Sequence, residues 1–173
     1  MGKALTPVAA AAVALALGAA SCNTSGCLDN GSAIPLAGFY SSATAEGISV
    51  DSVEIVGLDS PGDSAIVRPG TARSSVYLPM NPAAASTSWV ISYRQKDIDY
   101  PEFNDTLTFV YESVPYFASE ECGAMYYYDV TAIECTDHLI DSVRMTSRLI
   151  TNADIETIKI FFRTATAEGG QQP

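Results

Sequence analysis

From Ile48 onward the chain repeats one pattern: a short run in which apolar and polar residues alternate, then a cluster of turn residues. Alternation with a period of two puts one side of an extended segment in a core and the other in water, the mark of a half-buried β-strand. Ile48 and Val50 alternate, then Val53 and Ile55 alternate on the opposite parity, which predicts a bulge or a break near Asp51-Ser52. Ile66-Val67 and Val76-Tyr77-Leu78 are short strands either side of Arg68-Pro69-Gly70. Trp89, Ile91 and Tyr93 share one face, and Leu107, Phe109 and Tyr111 share another. Residues 124–134 hold no turn residue and read as one long strand, with Tyr126, Tyr128, Val130 and Ala132 opposed to Tyr127, Asp129 and Thr131. Val143 and Met145 follow. The last run sets Ile158, Ile160 and Phe162 against Lys159 and Arg163, with Phe161 on the polar side and so under a partial cover. No segment carries a persuasive helical period.

About eight strands at regular spacing predict an all-β domain, a sandwich or a barrel. The chain is short for a lipocalin-like barrel and lacks matched hairpins, so the expected fold is an antiparallel two-sheet sandwich of the immunoglobulin-like type over residues 34–163. The pattern is different at the start. Met1-Gly2-Lys3 precedes an apolar run, Val8 to Leu17, and then Gly18-Ala19-Ala20-Ser21-Cys22. The run is about ten residues, half of a bilayer-spanning helix and the right length for the apolar region of an export signal. Small residues directly before a cysteine give residues 1–21 the layout of a lipoprotein signal peptide, although Ala19 stands where leucine is commoner. Cys22 is then the first mature residue, acylated (palmitate included) and held in a membrane; several acyl chains anchor stably where one does not. Plain cleavage near Ser21 is the alternative. Residues 22–33 are small and polar, a flexible tether, and residues 164–173 read as a loose tail.

Charge narrows the partners. The chain carries a net charge of −11, and Lys3 is the one basic residue before Cys22, while all 20 acidic residues follow it. So acidic a surface repels nucleic acid. An exported compartment permits disulfides, and Cys27, Cys122 and Cys135 remain to form one. Eleven extended residues span about 36 Å, so Cys122 and Cys135, at opposite ends of the strand over 124–134, do not pair with each other; Cys27 pairs with one of them, with Cys122 favoured. The cysteine spacings fit neither a redox CxxC pair nor a zinc site.

The chemistry is thin. Gly62-Asp63-Ser64 resembles the start of a serine esterase motif, but the aspartate that such enzymes place three residues before the histidine is here Cys135, relative to His138. His138 is the single histidine and reads as a loop residue. Asp97, Asp99 and Glu102 lack the glycine turn and further oxygen ligands of a calcium loop. Neither a metal nor a cofactor is expected. Trp89 and Tyr127 are the aromatic residues that a glycan would use, since sugar C–H faces stack on exposed rings; strand packing is the plainer explanation of both. Four Asp-Ser/Thr-apolar triplets, at Ser52, Ser64, Thr106 and Ser142, read as strand starts, where Asp-Ser/Thr closes a turn.

Cys22 with Cys27, Leu78-Pro79-Met80, Asp105-Thr106-Leu107 leading to Tyr111, Ser119-Glu120-Glu121-Cys122-Gly123 and Asp141-Ser142-Val143 together resemble uncharacterised cell-envelope lipoproteins of Bacteroides-type bacteria. Met80 stands where a second leucine is usual, and Cys135 looks additional. The resemblance implies a lipid-anchored β domain and brings no known activity. It implies O-glycosylation at Ser52, Ser64, Thr106 or Ser142. It also implies an outer-membrane position facing the periplasm, because no acidic run follows Cys22. The expected function is a non-enzymatic interaction or structural module whose partner is an envelope protein or glycan. A glycan-binding lipoprotein is the alternative, and a hydrolase a more distant one.

Overall fold

The computed structural model describes residues 33–58, 65–120 and 123–164. The expected signal peptide over residues 1–21, Cys22, Cys27, Cys122, Ser64 and most of the expected tail lie outside the described residues. Within them are ten strands: β1 (Leu36–Ser41), β2 (Val53–Gly57), β3 (Ala65–Val67), β4 (Ser75–Tyr77), β5 (Ser86–Tyr93), β6 (Asp105–Ser119), β7 (Gly123–Cys135), β8 (Ile140–Met145), β9 (Leu149–Ile150) and β10 (Glu156–Phe162). One single-turn 3-10 helix, Pro101–Phe103, precedes β6. No helix among the described residues is long and apolar enough to cross a membrane.

The strands form two sheets, β4-β1-β10-β8 and β3-β2-β5-β6-β7-β9. All pairings are antiparallel except that of β1 with β10. The all-β, two-sheet sandwich is therefore as the alternation predicts. Trp89, Ile91 and Tyr93 of β5 and Leu107, Phe109 and Tyr111 of β6 are all buried, facing Phe39, Ile158, Ile160 and Phe162 across one hydrophobic core. Each such side chain contributes about 1.5–3 kcal/mol on burial, so the core alone explains the strand faces. Trp89 packs edge-on against Phe109 with ring centroids 5.4 Å apart. It is 1% exposed, which corrects its expected role as a ligand-facing aromatic: its inward parity on a central strand puts it in the core.

Three departures from the sequence pattern have physical causes. The strand β1 was not expected, because its inward residues Ala37, Phe39 and Ser41 include two that carry little hydrophobic signal. Ala33 is 4% exposed and belongs to the core rather than to the tether. In β7 the register jumps from Val110↔Ala132 to Tyr111↔Val130, leaving Thr131 as the extra residue of a bulge. A bulge reverses which side chains face in, so Ala132 turns outward and Ile133 packs on the core. The predicted irregularity at Asp51-Ser52 is a break: Val50 bridges Arg73, Ser52 adopts φ 50°, and β2 begins at Val53. Phe161, placed with the polar residues, is covered by Tyr40 and by the Arg144 guanidinium 5.1 Å above its ring.

Candidate functional site

The two longest strands, β6 and β7, pair along their whole length and end in unlike surroundings. At the β6 start, Asp105 has the same parity as Leu107 and Phe109 and so points into the core, where it is 0% exposed. A buried carboxylate is tolerated only when its oxygens are fully hydrogen-bonded. Asp105 Oδ1 accepts from Thr136 Oγ1 at 2.8 Å and from the His138 N–H at 2.9 Å. Its Oδ2 accepts from Tyr93 Oη at 2.8 Å and from the Leu139 and Ile140 N–H groups, each at 2.9 Å. The carboxylate thus ties β5, β6 and the turn between β7 and β8 together. Burial, and then the neighbouring Asp105 charge, push the Tyr93 hydroxyl above its ordinary pKa, which keeps it a donor.

His138 lies beside this knot but is half-exposed. Its Nδ1 is 2.7 Å from the Asn104 carbonyl oxygen, a geometry in which Nδ1–H donates, and 3.7 Å from Asp105 Oδ1. Arg163 donates to the Asp137 and His138 carbonyls from the other side. Cys135 is a free, exposed thiol whose pKa is raised by partial burial and then by Asp105 and Asp137. A reactive cysteine needs the opposite shift. Asp105, the nearest carboxylate to His138, has its oxygens occupied by five structural donors. No described group of three His, Cys, Asp or Glu side chains converges as metal ligands.

At the other end the same strands run on alone. The last β5 partner of β6 is Ser86, opposite Val110, and β9 meets β7 at Tyr128 and Asp129. Beyond these contacts β6 and β7 form a projecting two-stranded ribbon. Gly123 starts its return strand at φ 76°, a left-handed conformation that glycine adopts without strain. Cross-strand pairing sorts the ribbon's side chains. Pro115 opposite Tyr126 and Phe117 opposite Ala124 continue the face that carries the buried Tyr111, Tyr128 and Val130. Val114 opposite Tyr127 and Tyr116 opposite Met125 form the outer face. Phe117 is 63% exposed and Tyr116 and Tyr126 are each more than 40% exposed. On the outer face the Tyr116 and Tyr127 rings stack with centroids 4.7 Å apart and planes 18° from parallel.

The root of the ribbon is held by tyrosine hydroxyls. Tyr111 Oη accepts from the Asn81 N–H at 3.1 Å and donates to the Asn81 carbonyl at 2.8 Å, and Tyr128 Oη donates to the Met80 carbonyl at 3.3 Å. These bonds hold Pro79–Pro82 beside the ribbon. Between them, Ala33, Ile34, Met80, Tyr126 and Tyr128 help to line a cavity of about 340 Å³.

Of the expected site residues, Tyr127 is half-buried in the stacked pair on the ribbon, and Trp89 is far from any surface. Ser52, Thr106 and Ser142 are half-buried. Val53 opens β2 and Ala65 opens β3, and Asp105 opens β6, so three of the triplets do mark strand starts, while Asp141-Ser142-Val143 lies inside β8. Asp99 is taken up by an ion pair with Arg94 at 2.9 Å. Sequence reasoning missed Asp105, although its parity with Leu107 and Phe109 was a usable signal. Nothing in Tyr116-Phe117 as a sequence announces that these residues lie past the supporting strands.

No curated protein and no solved structure matches this chain. A family of unknown function, DUF6452, matches residues 52–162, which takes in β2 to β10 and hence both ends of the β6–β7 pair. The chain belongs to that family.

Proposed function

We propose that the protein is a lipid-anchored, non-enzymatic interaction module of the cell envelope, and that the outer face of the β6–β7 ribbon is its docking surface. The observation that carries this reading is the ribbon itself: a two-stranded extension past the last strand neighbours of β6 and β7, presenting Val114 and Tyr116, with the Tyr116 ring stacked on the half-buried Tyr127. Exposed aromatic residues on a projecting element are what a partner surface uses as anchors. The opposite end favours no catalysis, because Asp105 is saturated and the Cys135 thiol is shifted away from reactivity. The partner in this reading is an envelope protein. The stacked tyrosine pair also suits a sugar ring laid on the free face of Tyr116, which is the second reading.

The anchor is the acylated Cys22, in the outer membrane on the periplasmic side. Replacing Cys22 by serine releases the protein into the soluble periplasmic fraction, and protease added to intact cells leaves the wild-type domain uncut. Intact masses above the lipidated polypeptide report glycans at Ser52, Ser64, Thr106 or Ser142. For the docking surface, a photocrosslinking residue at position 116 in living cells yields one dominant envelope adduct, while the same group at Tyr100, which is 51% exposed in a loop, yields none. Equal labelling from both positions sinks the interaction reading. Titration with oligosaccharides, abolished by Tyr116→Ala, selects the glycan reading instead.

A further inference from the structure

The sheet that takes no part in the ribbon, β4-β1-β10-β8, has an outer face of its own. Phe39, Ile158, Ile160 and Phe162 point into the core, so strand alternation turns Gly38, Tyr40, Lys159, Phe161, Ser142 and Arg144 outward. The register sets these six in two rows across three strands. Gly38, Lys159 and Arg144 form one row, and Tyr40, Phe161 and Ser142 form the next. Both cations of the first row lean over the rings of the second. Lys159 Nζ lies 4.6 Å from the centre of the Tyr40 ring, and the Arg144 guanidinium lies 5.1 Å from that of Phe161. The two rings are 5.5 Å apart. Arg144 and Lys159 are thus neighbouring positive charges whose heads are positioned by the rings beneath them.

The arrangement is unfavourable by itself. Like charges directly opposite each other on adjacent strands repel, and this pair stands in a chain of net charge −11. Arg94, Arg148 and Arg163 each lie within 4.0 Å of a carboxylate, whereas Arg144 has no ion pair among the described residues. Lys159 Nζ is 3.8 Å from Glu156 Oε1, an oxygen that already accepts from Tyr40 Oη at 2.7 Å. Asp141, beside Ser142, is taken up by Arg163 at 3.7 Å. One carboxylate therefore stands against two cations. Contact with a ring fixes where a cation sits without neutralising it.

We infer that Arg144 and Lys159 bind the phosphate of a small soluble phosphomonoester on this face, with the Ser142 hydroxyl as a further donor. A carboxylate offers two oxygens, which one arginine can satisfy alone. A phosphomonoester carries about two negative charges and three acceptor oxygens, enough to engage a guanidinium, an ammonium and a hydroxyl together. The size of the ligand follows from the rest of the chain. An overall acidic protein repels a polyanion or an anionic membrane over long range, and it repels one phosphate far less. The site lies on the sheet away from the ribbon, so the inference does not rest on the proposed docking surface.

The test titrates the full exported chain, from Cys22 to Pro173 with serine at Cys22, with glycerol 3-phosphate. The NMR signals of the Arg144 Nε–H and of the β8 and β10 amides report binding. They shift saturably, with one phosphate per chain, while those of the ribbon do not move. Arg144→Gln weakens the affinity about tenfold or more, the loss of one charged donor. Arg148→Gln leaves it unchanged, because Arg148 is paired with Asp129 on the other sheet. Glu156→Gln removes the carboxylate that competes for Lys159 and tightens binding several-fold. Glu112→Gln makes the same change in net charge on the ribbon and has no such effect. The backbone spectrum of each variant shows that it is folded, and the wild-type titration stands without any variant. No saturable shift, or a shift that sodium chloride reproduces at equal ionic strength, overturns the inference. So does equal weakening by Arg144→Gln and Arg148→Gln, or binding that appears only with phosphatidylglycerol vesicles. A glycan on Ser142 would cover this face, so added mass mapped to Ser142 overturns it as well. None of these readouts depends on crosslinking at position 116, so failure here is distinguishable from failure of the docking surface.

Discussion

The two ends of the β6–β7 pair are built from the same two strands and solve opposite problems. At the Asp105 end the buried carboxylate is fully matched: it accepts five hydrogen bonds from two side chains and three backbone N–H groups. At the ribbon end the backbone pairs across β6 and β7, and Val114, Tyr116, Phe117 and Tyr126 are exposed. The difference separates the end that holds the fold from the end that the proposed reading assigns to recognition. A saturated polar knot fixes the position of neighbouring strands and leaves no lone pair for chemistry. A two-stranded ribbon with exposed rings contributes little to folding and is free to be shaped by whatever it meets.

The comparison breaks most easily at its stable end. Asp105→Ala leaves the hydroxyls of Tyr93 and Thr136 and three buried N–H groups without their acceptor, a loss of about 3–5 kcal/mol. A domain of this size answers with a fall in Tm of roughly 10 °C or more, read by thermal or urea denaturation. A fall below that of an ordinary surface substitution means that the knot does not hold the sheet. Tyr93→Phe removes one of the five donors from a charged acceptor, at a cost of about 2 kcal/mol. It also changes the pH dependence, and the sign follows from linkage. The Tyr93 hydroxyl titrates above its unfolded value of 10.0 when folded. Its stabilising contribution is therefore complete below pH 10 and drains away as pH rises beyond 10. Tyr93→Phe is less stable than wild type at pH 7, and its stability falls less steeply between pH 10 and 11; denaturation series at both pH values check this.

Much of this division was legible in the sequence, and the illegible part has definite causes. Strand faces were readable wherever large apolar residues alternate, as in Trp89-Ile91-Tyr93 and Ile158-Ile160-Phe162, because burial of such residues dominates the energy of a strand. β1 was opaque because Ala37 and Ser41 fill inward positions with small side chains. The Thr131 bulge was opaque for another reason: nothing in Val130-Thr131-Ala132 announces an extra residue, and the reversal is imposed by the partner strand. Trp89 and Tyr127 show the limit for sites. Both are aromatic residues on strands, and only the neighbours of each strand decide that one is sealed in the core while the other reaches the ribbon. Cross-chain neighbours also decide that Asp105, rather than His138, is the centre of the polar cluster.

At the ribbon, perturbations have smaller effects on folding. Gly123→Ala forces a Cβ into the left-handed region at φ 76°, which costs about 1 kcal/mol although the space around it is open. Its effect is on the ribbon's return and so on position 116 as well: partner crosslinking weakens together with a Tm drop of a few degrees.

Tyr116→Ser separates the two properties entirely. The ring is 42% exposed and stacks on the half-buried Tyr127. Removing it changes folding stability by no more than about 0.5 kcal/mol, the range of surface substitutions. Loss of an anchoring aromatic from an interface commonly costs 2 kcal/mol or more, about a thirtyfold fall in affinity. Capture of the envelope partner by the Tyr116→Ser protein, with the photocrosslinker moved to position 114, should therefore drop by more than tenfold at unchanged Tm. A fall in Tm matching that of Tyr93→Phe makes the ribbon a structural element of the fold. Unchanged capture leaves the outer face without a role, and the contrast between a sealed end and a receptive end is then one of shape alone.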